Sequence, residues 1–381
     1  METRKLYYED SHMRQFMATV LSCGEGKKGF EIVLDATAFY PEGGGQDGDT
    51  GTLGGVRVLD TRDREGTVVH ICDGALAEGE TVEGRIDWEA RFIRMQQHSG
   101  EHIVSGILNR RYGCHNVGFH MSSDIVTIDF DVEIPREALA EIEAEANAAV
   151  WADLPVKTWY PTAEALKTIP YRSKKELTGA VRIVEFPGTD ICACCGTHVQ
   201  RTGEIGLIRL FSAVKFRTGT RMEMACGKMA LALLNRAWEQ NKEVSQAFSA
   251  KIEETGAAAR KMNETLEAMK YRITGLEMRL FAGIAATYAG QENAVHFEDG
   301  LDNTAVRVLA DAIADKVTGF AAVFSGDDEN GYAFCLVTRN GDLRSFCKEM
   351  TGTLGGRGGG KPNFQQGRVS AGKEAIRAFF E

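Results

Sequence analysis

The stretch CACCGTHV, Cys192 to Val199, holds three cysteines and a histidine within seven residues and constrains the fold more than any other part of the sequence. About ninety residues upstream, QQHSGEHIV contains His98 and His102, four residues apart. Sulfur and imidazole ligands gathered in this way are typical of a transition-metal site. If both groups serve one site, the fold must bring two distant segments together around a single point.

The two groups share a spacing of four residues. Side chains at i and i+4 of a helix lie on the same face, so His98 and His102 can point to a common centre. Cys194 and His198 have the same offset, and Gly196 between them gives the backbone freedom. One thiolate and three imidazoles suit a tetrahedral Zn²⁺ ion. The sequence therefore predicts a zinc site.

The identity of the ligating cysteine is open at this point, because Cys192, Cys194 and Cys195 are all available. Alternate side chains of an extended segment point to opposite faces, which groups Cys192 with Cys194 and separates Cys195. Composition alone does not determine which cysteine ligates the metal. The other six cysteines are scattered singly and are interpreted as small buried hydrophobic residues.

Composition and charge limit the class of protein. Of 381 residues, 43% are hydrophobic and 26% are charged, which is the balance of a folded globular chain. No run approaches the roughly 18 apolar residues of a membrane span, and the charged start differs from a signal peptide. We therefore expect a cytoplasmic protein without a membrane partner. The net charge of -10 disfavours nucleic acid, although Arg339 to Arg377 holds eight basic and three acidic residues.

The first half of the chain predicts two domains of an α+β protein. Residues 1–88 alternate apolar and polar positions between Gly and Asp turns, which indicates a β-rich, barrel-like domain. Its glycine-rich loop PEGGGQDGDTG is a weak phosphate cradle, because no Lys-Ser/Thr follows to open a helix. Residues 89–227 mix helices with strands and contain both groups of ligands. We expect this second domain to hold the site.

The second half predicts a helical segment and a small α/β domain. Residues 228–286 are helical, with an apolar 3-4 spacing from Ala259 to Leu280 and a break around Gly256. A hairpin would bury this seam internally, and an intermolecular coiled coil is the competing interpretation. Residues 287–381 alternate helices and strands and include a second glycine-rich loop, GGRGGGKP. A homodimer would form through the coiled coil or this last domain.

Three stretches, HSGEH, CCGTHV and DATAFYPEGGGQDGDTG, resemble the editing module shared by alanyl-tRNA synthetases and the AlaX-type alanyl-tRNA editing proteins. The opening KLYYED, the helical hairpin and GGRGGGKP extend the resemblance over nearly the whole chain and imply the long form, with a C-terminal DHHA1 domain. Cys195 stands where that family usually has Gly. The zinc ligands that the resemblance implies are His98, His102, Cys194 and His198.

The resemblance implies a hydrolase that acts in trans, since no aminoacylation half precedes Leu6. Its expected substrate is tRNA(Ala) wrongly charged with serine, with glycine as a second expected error. Thr37 and Gln46, both in the matched motif, are the candidates for contacting the seryl hydroxyl. The alternative is a non-catalytic tRNA-binding factor with a structural zinc, because four protein ligands close a tetrahedral site.

Any tRNA partner requires contacts from Lys or Arg to phosphates. The sequence offers two basic clusters and two arginines of the segment FRTGTRME. The residues predicted to bind tRNA are Arg172, Lys174, Lys175, Arg217, Arg221, Arg357 and Lys361.

Overall fold

The computed structural model describes residues 3–122, 124–173 and 180–381. The chain divides into two compact units, Met1–Glu243 and Val244–Glu381. Both contain helices and strands, so the prediction of a mixed α and β protein is confirmed. In these described ranges no helix has both the length and the apolar composition needed to cross a bilayer.

The first part of the chain is made of short strands, as its alternating pattern predicts. A single short helix interrupts them near the start. The elements are β1 (Arg4–Lys5), α1 (Leu6–Glu9), β2 (Gln15–Gly26), β3 (Gly29–Leu34), β4 (Ala36–Thr37), β5 (Gly51–Leu53), β6 (Val56–Arg64), β7 (Thr67–Cys72) and β8 (Thr81–Ile86).

Six of these strands pair in a closed cycle in the order β2-β3-β7-β6-β5-β8, and every pair is antiparallel. Ile32, Leu34 and Leu53 point inward and are fully buried in a common core. The predicted β-rich character is therefore confirmed, while a barrel geometry beyond this pairing stays a prediction. The glycine-rich loop lies between β4 and β5.

The next part of the chain surrounds one long helix with strands and shorter helices. One-turn 3₁₀ helices cover Arg136–Ala138 and Thr202–Ile205. The elements are α2 (Trp88–Tyr112), β9 (Asn116–Met121), β10 (Val126–Phe130), α3 (Leu139–Trp151), β11 (Lys157–Trp159), α4 (Ala163–Leu166), β12 (Ile183–Phe186), β13 (Asp190–Ala193), β14 (Ile208–Phe216) and β15 (Gly219–Cys226).

The helix α2 is the centre of this part. Met95 and Ile103 on α2 share a core with Ile128 of β10 and Met224 of β15, in the sheet of order β14-β15-β10-β9. The helix ends at Gly113, which adopts the left-handed conformation (φ 64°) that favours glycine at this position. A second sheet, β11-β12-β13, leads directly into the cysteine-rich segment. The core thus fixes the helix and the segment that carry the predicted ligands.

The helical region contains α5 (Gly227–Phe248), a 3₁₀ turn at Ile252–Glu254 and α6 (Thr255–Ala286). The break comes at Ser249 (φ 50°), earlier than predicted, and Gly256 lies in the first turn of α6. The apolar row on α6 has exposed fractions that run from 45% at Met262 to 58% at Met269. Burial of this row in a hairpin stays a prediction, and so does its pairing in a coiled coil.

The C-terminal part is a five-stranded sheet with helices. The elements are β16 (Ala294–Phe297), α7 (Asn303–Ala314), β17 (Phe320–Asp327), β18 (Gly331–Thr338), α8 (Arg344–Thr353), β19 (Gly356–Lys361), β20 (Phe364–Val369) and α9 (Lys373–Phe380). The strand order is β16-β17-β18-β20-β19.

The prediction of a second glycine-rich loop is wrong, because GRGGGK of this segment forms the whole edge strand β19. Its partner β20 satisfies the backbone hydrogen bonds of these glycines, which overrides their weak strand preference. A Cβ atom at Gly358 would lie 2.6 Å from Cζ of Phe334 and 3.0 Å from Sγ of Cys347. Glycine at this position therefore serves close packing under α8.

Candidate metal centre

The two histidines of α2 lie on one face of the helix, as their spacing predicts. The centroids of the His98 and His102 rings are 5.2 Å apart, and both residues are buried. The surrounding helix is buried from Met95 to Leu108, so the imidazoles face protein rather than solvent. This face is the first half of a candidate site.

The second half comes from the segment after β13. Sγ of Cys194 lies 3.5 Å from Nε2 of His98, and the His198 ring is centred 4.5 Å from that of His98 and 4.8 Å from that of His102. A Cβ atom at Gly196 would lie 2.2 Å from Cε1 of His98. Only glycine lets this segment pass so close to the helix.

These four side chains together fit a metal ion. One ligand atom from each of His98, His102, Cys194 and His198 lies within 4.8 Å of the others. In a tetrahedron with sulfur at about 2.3 Å and nitrogen at about 2.0 Å, the S···N edge is about 3.5 Å, which agrees with the observed separation. Both ring nitrogens of His198 are buried and have no hydrogen-bond partner among the described residues. A bound cation would satisfy one of them, so the set could hold a metal ion.

The protonation states of Cys194 and His198 suit metal binding. Burial raises the pKa of the Cys194 thiol, but the three imidazoles outweigh burial and hold that pKa well below its usual value. Burial lowers the pKa of His198 to about 3. A thiolate and a neutral imidazole are the forms that ligate metals. Burial lowers the pKa of His102, but the Cys194 thiolate and Asp190 outweigh burial and raise that pKa well above its usual value, so a metal ion would displace a proton there.

The structure distinguishes the three neighbouring cysteines. Cys194 belongs to the four-residue set, while Cys195 is exposed. Cys192 is buried and forms a separate group with His102 and Asp190. The alternation predicted for an extended segment is thus found between Cys194 and Cys195. The cysteine in place of the family's glycine leaves the four-residue set intact.

Gln46 is buried beside the candidate ligands His98, His102, Cys194 and His198, which together are called the ligand cluster. Its Oε1 lies 3.2 Å from Nδ1 of His98 and accepts from the backbone N–H of Thr197 (3.3 Å), while its Nε2 donates to Oγ1 of Thr197 (2.8 Å). An amide oxygen can only accept, so Nδ1 of His98 carries the proton and Nε2 faces the cluster. Gln46 therefore fixes the tautomer of His98, and its predicted contact with a seryl hydroxyl stays a prediction.

The glycine-rich loop that carries Gln46 is held to α2 by a buried ion pair. Arg91 is fully buried and donates through Nε to Oδ2 of Asp49 (2.8 Å) and through Nη2 to the carbonyl of Ala38 (2.6 Å). The loop and α2 are therefore linked about two helical turns before His98.

His102 has a different neighbour on its far side. Nδ1 of His102 lies 2.8 Å from Oδ2 of Asp190, and Asp190 also pairs with Arg172. The sequence had suggested Arg172 as a tRNA contact, but its guanidinium faces this buried carboxylate and its side chain is only 14% exposed. Sequence reasoning missed Asp190 because a single aspartate carries no spacing signal.

Thr37 is buried and its hydrogen bonds run to groups other than the ligand cluster. Oγ1 lies 2.8 Å from Nε2 of His70 and accepts from the backbone N–H of Phe39 at 3.1 Å. Nδ1 of His70 lies 3.0 Å from the carbonyl oxygen of Ile32. His70 was also missed, because a lone histidine in a strand gives no motif.

The remaining residues predicted to bind tRNA are distributed over both units. Arg217, Arg357 and Lys361 are exposed. Arg221 pairs with Asp129 through two hydrogen bonds of 2.7 and 2.8 Å and is 39% exposed. Lys174 and Lys175 lie outside the described residues.

Three family models match parts of the chain. Residues 3–90 match "tRNA synthetases class II (A)", residues 181–223 match "Threonyl and Alanyl tRNA synthetase second additional domain", and residues 286–381 match "DHHA1 domain". The second match contains Cys194 and His198. The third covers the five-stranded C-terminal sheet.

Comparison with individual proteins gives matches over the whole chain. It is 33% identical to an alanine–tRNA ligase of Thermofilum pendens, over 100% of this chain and 43% of that protein. It is 28% identical to the alanyl-tRNA editing protein AlaX-L of Pyrococcus horikoshii, over 98% of this chain and 96% of that protein. The alanyl-tRNA editing protein Aarsd1 of Danio rerio is 26% identical, with coverage of 95% and 93%. The chain thus spans less than half of the ligase and nearly all of the two editing proteins.

Proposed function

We propose that this chain belongs to the AlaX-type alanyl-tRNA editing family and that it hydrolyses the aminoacyl ester of tRNA(Ala) wrongly charged with serine, and also with glycine. One observation supports this function above the others: three imidazoles and one thiol converge within 4.8 Å, two of them inside the segment that matches the second additional domain of alanyl-tRNA synthetase. The ester of an aminoacyl-tRNA is the bond to be cleaved, and the reaction is a deacylation.

The donor set favours Zn²⁺ over other ions, because zinc accepts mixed nitrogen and sulfur ligands in a tetrahedron. His98, His102, Cys194 and His198 would hold it. A bound zinc ion supplies a Lewis acid for an ester carbonyl or a water. Gln46 keeps the proton of His98 on Nδ1 and so leaves Nε2 available to the ion.

Selectivity is proposed to come from Thr37. A site that hydrogen-bonds a substrate hydroxyl can reject the analogue without it by roughly 10⁴ to 10⁵. A seryl group carries that hydroxyl and an alanyl group lacks it, so this contact would protect correctly charged tRNA. Glycine has no hydroxyl, and its hydrolysis would rest on the small size of its side chain.

The proposed tRNA contacts are basic residues that can reach phosphates. Arg217 lies at a turn with a left-handed backbone (φ 54°), and its guanidinium carbon is 5.1 Å from the centroid of the Phe216 ring. Arg221 would have to exchange Asp129 for a phosphate. Arg172 is left out of this set because of its pairing with Asp190. The proposed contacts are Lys174, Lys175, Arg217, Arg221, Arg357 and Lys361.

A homodimer is proposed from the exposed row on α6. Leu266, Ile273 and Leu280 are about half exposed and repeat at seven-residue spacing, as in the seam of a coiled coil. A second copy of the same helix would bury the row, and a solvent-exposed row of this length is otherwise unfavourable. We also propose a cytoplasmic location, where tRNA charging takes place.

A non-catalytic tRNA-binding factor with a structural metal is the second candidate. The four ligands would complete a tetrahedron, and His98, His102 and His198 are buried, both of which are usual for structural zinc. In that case the chain would bind tRNA(Ala) without cleaving its ester.

The two candidates are separated by offering the purified full chain Ser-, Gly- and Ala-tRNA(Ala), before and after removal of metal by a chelator. A hydrolase releases serine and glycine but spares alanine, and loses this activity with the metal. Binding of all three without turnover would favour the structural candidate. Equal cleavage of Ala-tRNA(Ala) would contradict the proposed selectivity.

A further inference from the structure

Among the residues that the structure describes, the guanidinium of Arg172 pairs with one carboxylate, and that carboxylate is buried. Nε of Arg172 donates to Oδ1 of Asp190 (2.7 Å) and Nη2 donates to Oδ2 (2.8 Å), so the pair is bidentate. The side chain of Asp190 is only 1% exposed. A bidentate Arg–carboxylate pair fixes geometry as well as charge. The orientation of Asp190 is thus set by Arg172.

Asp190 in turn holds a predicted metal ligand. Its Oδ2 lies 2.8 Å from Nδ1 of His102, which is also buried. A carboxylate can only accept here, so Nδ1 of His102 carries the proton and Nε2 is left for a metal. Carboxylate partners of ligating histidines fix the tautomer and the ring orientation.

The backbone of Arg172 is tied to the same strand. Its N–H donates to the carbonyl of Ile191 (2.8 Å), and the N–H of Ala193 donates to its carbonyl (2.9 Å). These bonds pair Arg172 with β13, the strand that leads into Cys194. The main chain of Arg172 therefore lies beside the strand that leads to Cys194, and its side chain contacts the carboxylate that holds His102.

We propose that Arg172 is a positioning residue of the metal centre, which acts on His102 through Asp190. This inference rests on the proposed metal site and is independent of the reaction carried out there. Loss of Arg172 would leave Asp190 as a buried carboxylate with one partner fewer, which is unfavourable in a water-poor site. Asp190 would then turn, and His102 would lose its fixed orientation.

The test replaces the planar guanidinium of Arg172 with the ammonium group of lysine in the full chain. Arg172→Lys keeps the charge but cannot make the bidentate pair, and its zinc dissociation constant, measured by competition with a chromogenic chelator, is expected to rise about 10- to 100-fold. The matched control is Arg64→Lys, which breaks a bidentate pair with Glu31 (2.6 and 2.6 Å) on the strand cycle. That variant should retain the affinity of the wild type.

Two further measurements distinguish positioning from a direct tRNA contact. Asp190→Asn should weaken zinc binding to a similar degree, and the double variant should lose little more than either single one, because both act on His102. A phosphate contact would instead lower the slope of log affinity for tRNA against log salt by about 0.7 to 0.9. Positioning leaves that slope unchanged.

The outcomes separate this inference from the proposed function. Equal zinc affinity in the wild type and Arg172→Lys would overturn the inference alone. A wild-type chain that binds no zinc would overturn the metal site and the inference together. If Arg172→Lys fails to fold, the ¹⁵N shifts of His102 in the wild-type zinc form still decide: protonation at Nδ1 is expected, and protonation at Nε2 would contradict the proposal.

Discussion

Oγ1 of Thr37 lies 2.8 Å from Nε2 of His70, and this pair determines how the threonine hydroxyl can act. Nδ1 of His70 faces the carbonyl of Ile32, which only accepts, so the proton is on Nδ1 and Nε2 is an acceptor. The Thr37 proton is therefore directed to His70. Its oxygen already accepts from Phe39 and has one lone pair left, so a substrate hydroxyl would have to donate to it.

Replacing Thr37 by valine should slow the hydrolysis of Ser-tRNA(Ala) more than that of Gly-tRNA(Ala). Valine keeps the shape but removes the acceptor, and loss of such a hydrogen bond costs about 1 to 3 kcal/mol. We expect kcat/KM for Ser-tRNA(Ala) to fall about 10- to 100-fold, while the value for Gly-tRNA(Ala) changes much less. Thr61→Val, which removes another buried hydroxyl, is the control for general destabilisation. Equal losses for both substrates would argue against the contact.

The buried His70 predicts a specific dependence of stability on pH. Burial lowers its pKa from 6.5 to about 4. Below pH 6.5 this histidine becomes protonated in the unfolded chain but stays neutral in the folded chain. The free energy of unfolding therefore decreases as the pH is lowered, by about 2 kcal/mol from pH 7 to pH 5. Urea unfolding at both pH values should show that His70→Gln lacks this part of the decrease. His115→Gln, at an exposed histidine, should retain it, and identical behaviour of the two variants would contradict the assignment.

Gln46 is expected to affect metal affinity through His98. Gln46→Ala removes the acceptor at Nδ1 and should raise the zinc dissociation constant about 10-fold or more, whereas Gln46→Glu keeps an oxygen there and should restore most of the affinity. Gln97 is a buried amide on the same helix that pairs with Cys226 instead. If Gln97→Ala weakens zinc binding as much as Gln46→Ala, the effect comes from general loosening of the fold.

The exposed row on α6 predicts self-association. Light scattering should give the wild type a mass of twice 41.7 kDa, and a chain with Leu266→Glu and Ile273→Glu should be a monomer, because charges in a coiled-coil seam are strongly unfavourable. Tyr271 is 86% exposed and lies off the row, so Tyr271→Glu should leave the dimer intact. A monomeric wild type would refute the proposed dimer.

The histidine pair could be predicted from the sequence because its spacing is local, whereas the choice of Cys194 among three cysteines rested on the family resemblance. Four residues on a helix place His98 and His102 on one face whatever the rest of the fold does. The partners behind the ligands could not, since Asp190 reaches His102 only after β13 packs beside α2. The sequence predicts that Gln46 lies in the loop beside the site, but its contact with His98 depends on how Arg91 and Asp49 fix that loop.

The same contrast explains the glycine-rich segments. In the first, the sequence predicts a loop and the structure has one between β4 and β5. In the second, five glycines between Gly355 and Gly360 predict a loop, but the segment pairs with β20 as a strand. The helix α8 packs on this strand, where a side chain at Gly358 would clash. Tertiary packing of this kind overrides local preference, and no short window of sequence contains it.

We propose that three imidazoles and the Cys194 thiolate hold one zinc ion. X-ray absorption on the zinc-loaded full chain tests it directly, with Cys195→Ala as the matched control and Cys194→Ala as the loss variant. We predict one zinc per chain with three nitrogens at about 2.0 Å and one sulfur at about 2.3 Å, unchanged in Cys195→Ala and without sulfur in Cys194→Ala. A wild-type spectrum with no sulfur ligand, or a sulfur ligand that disappears with Cys195, would contradict the account.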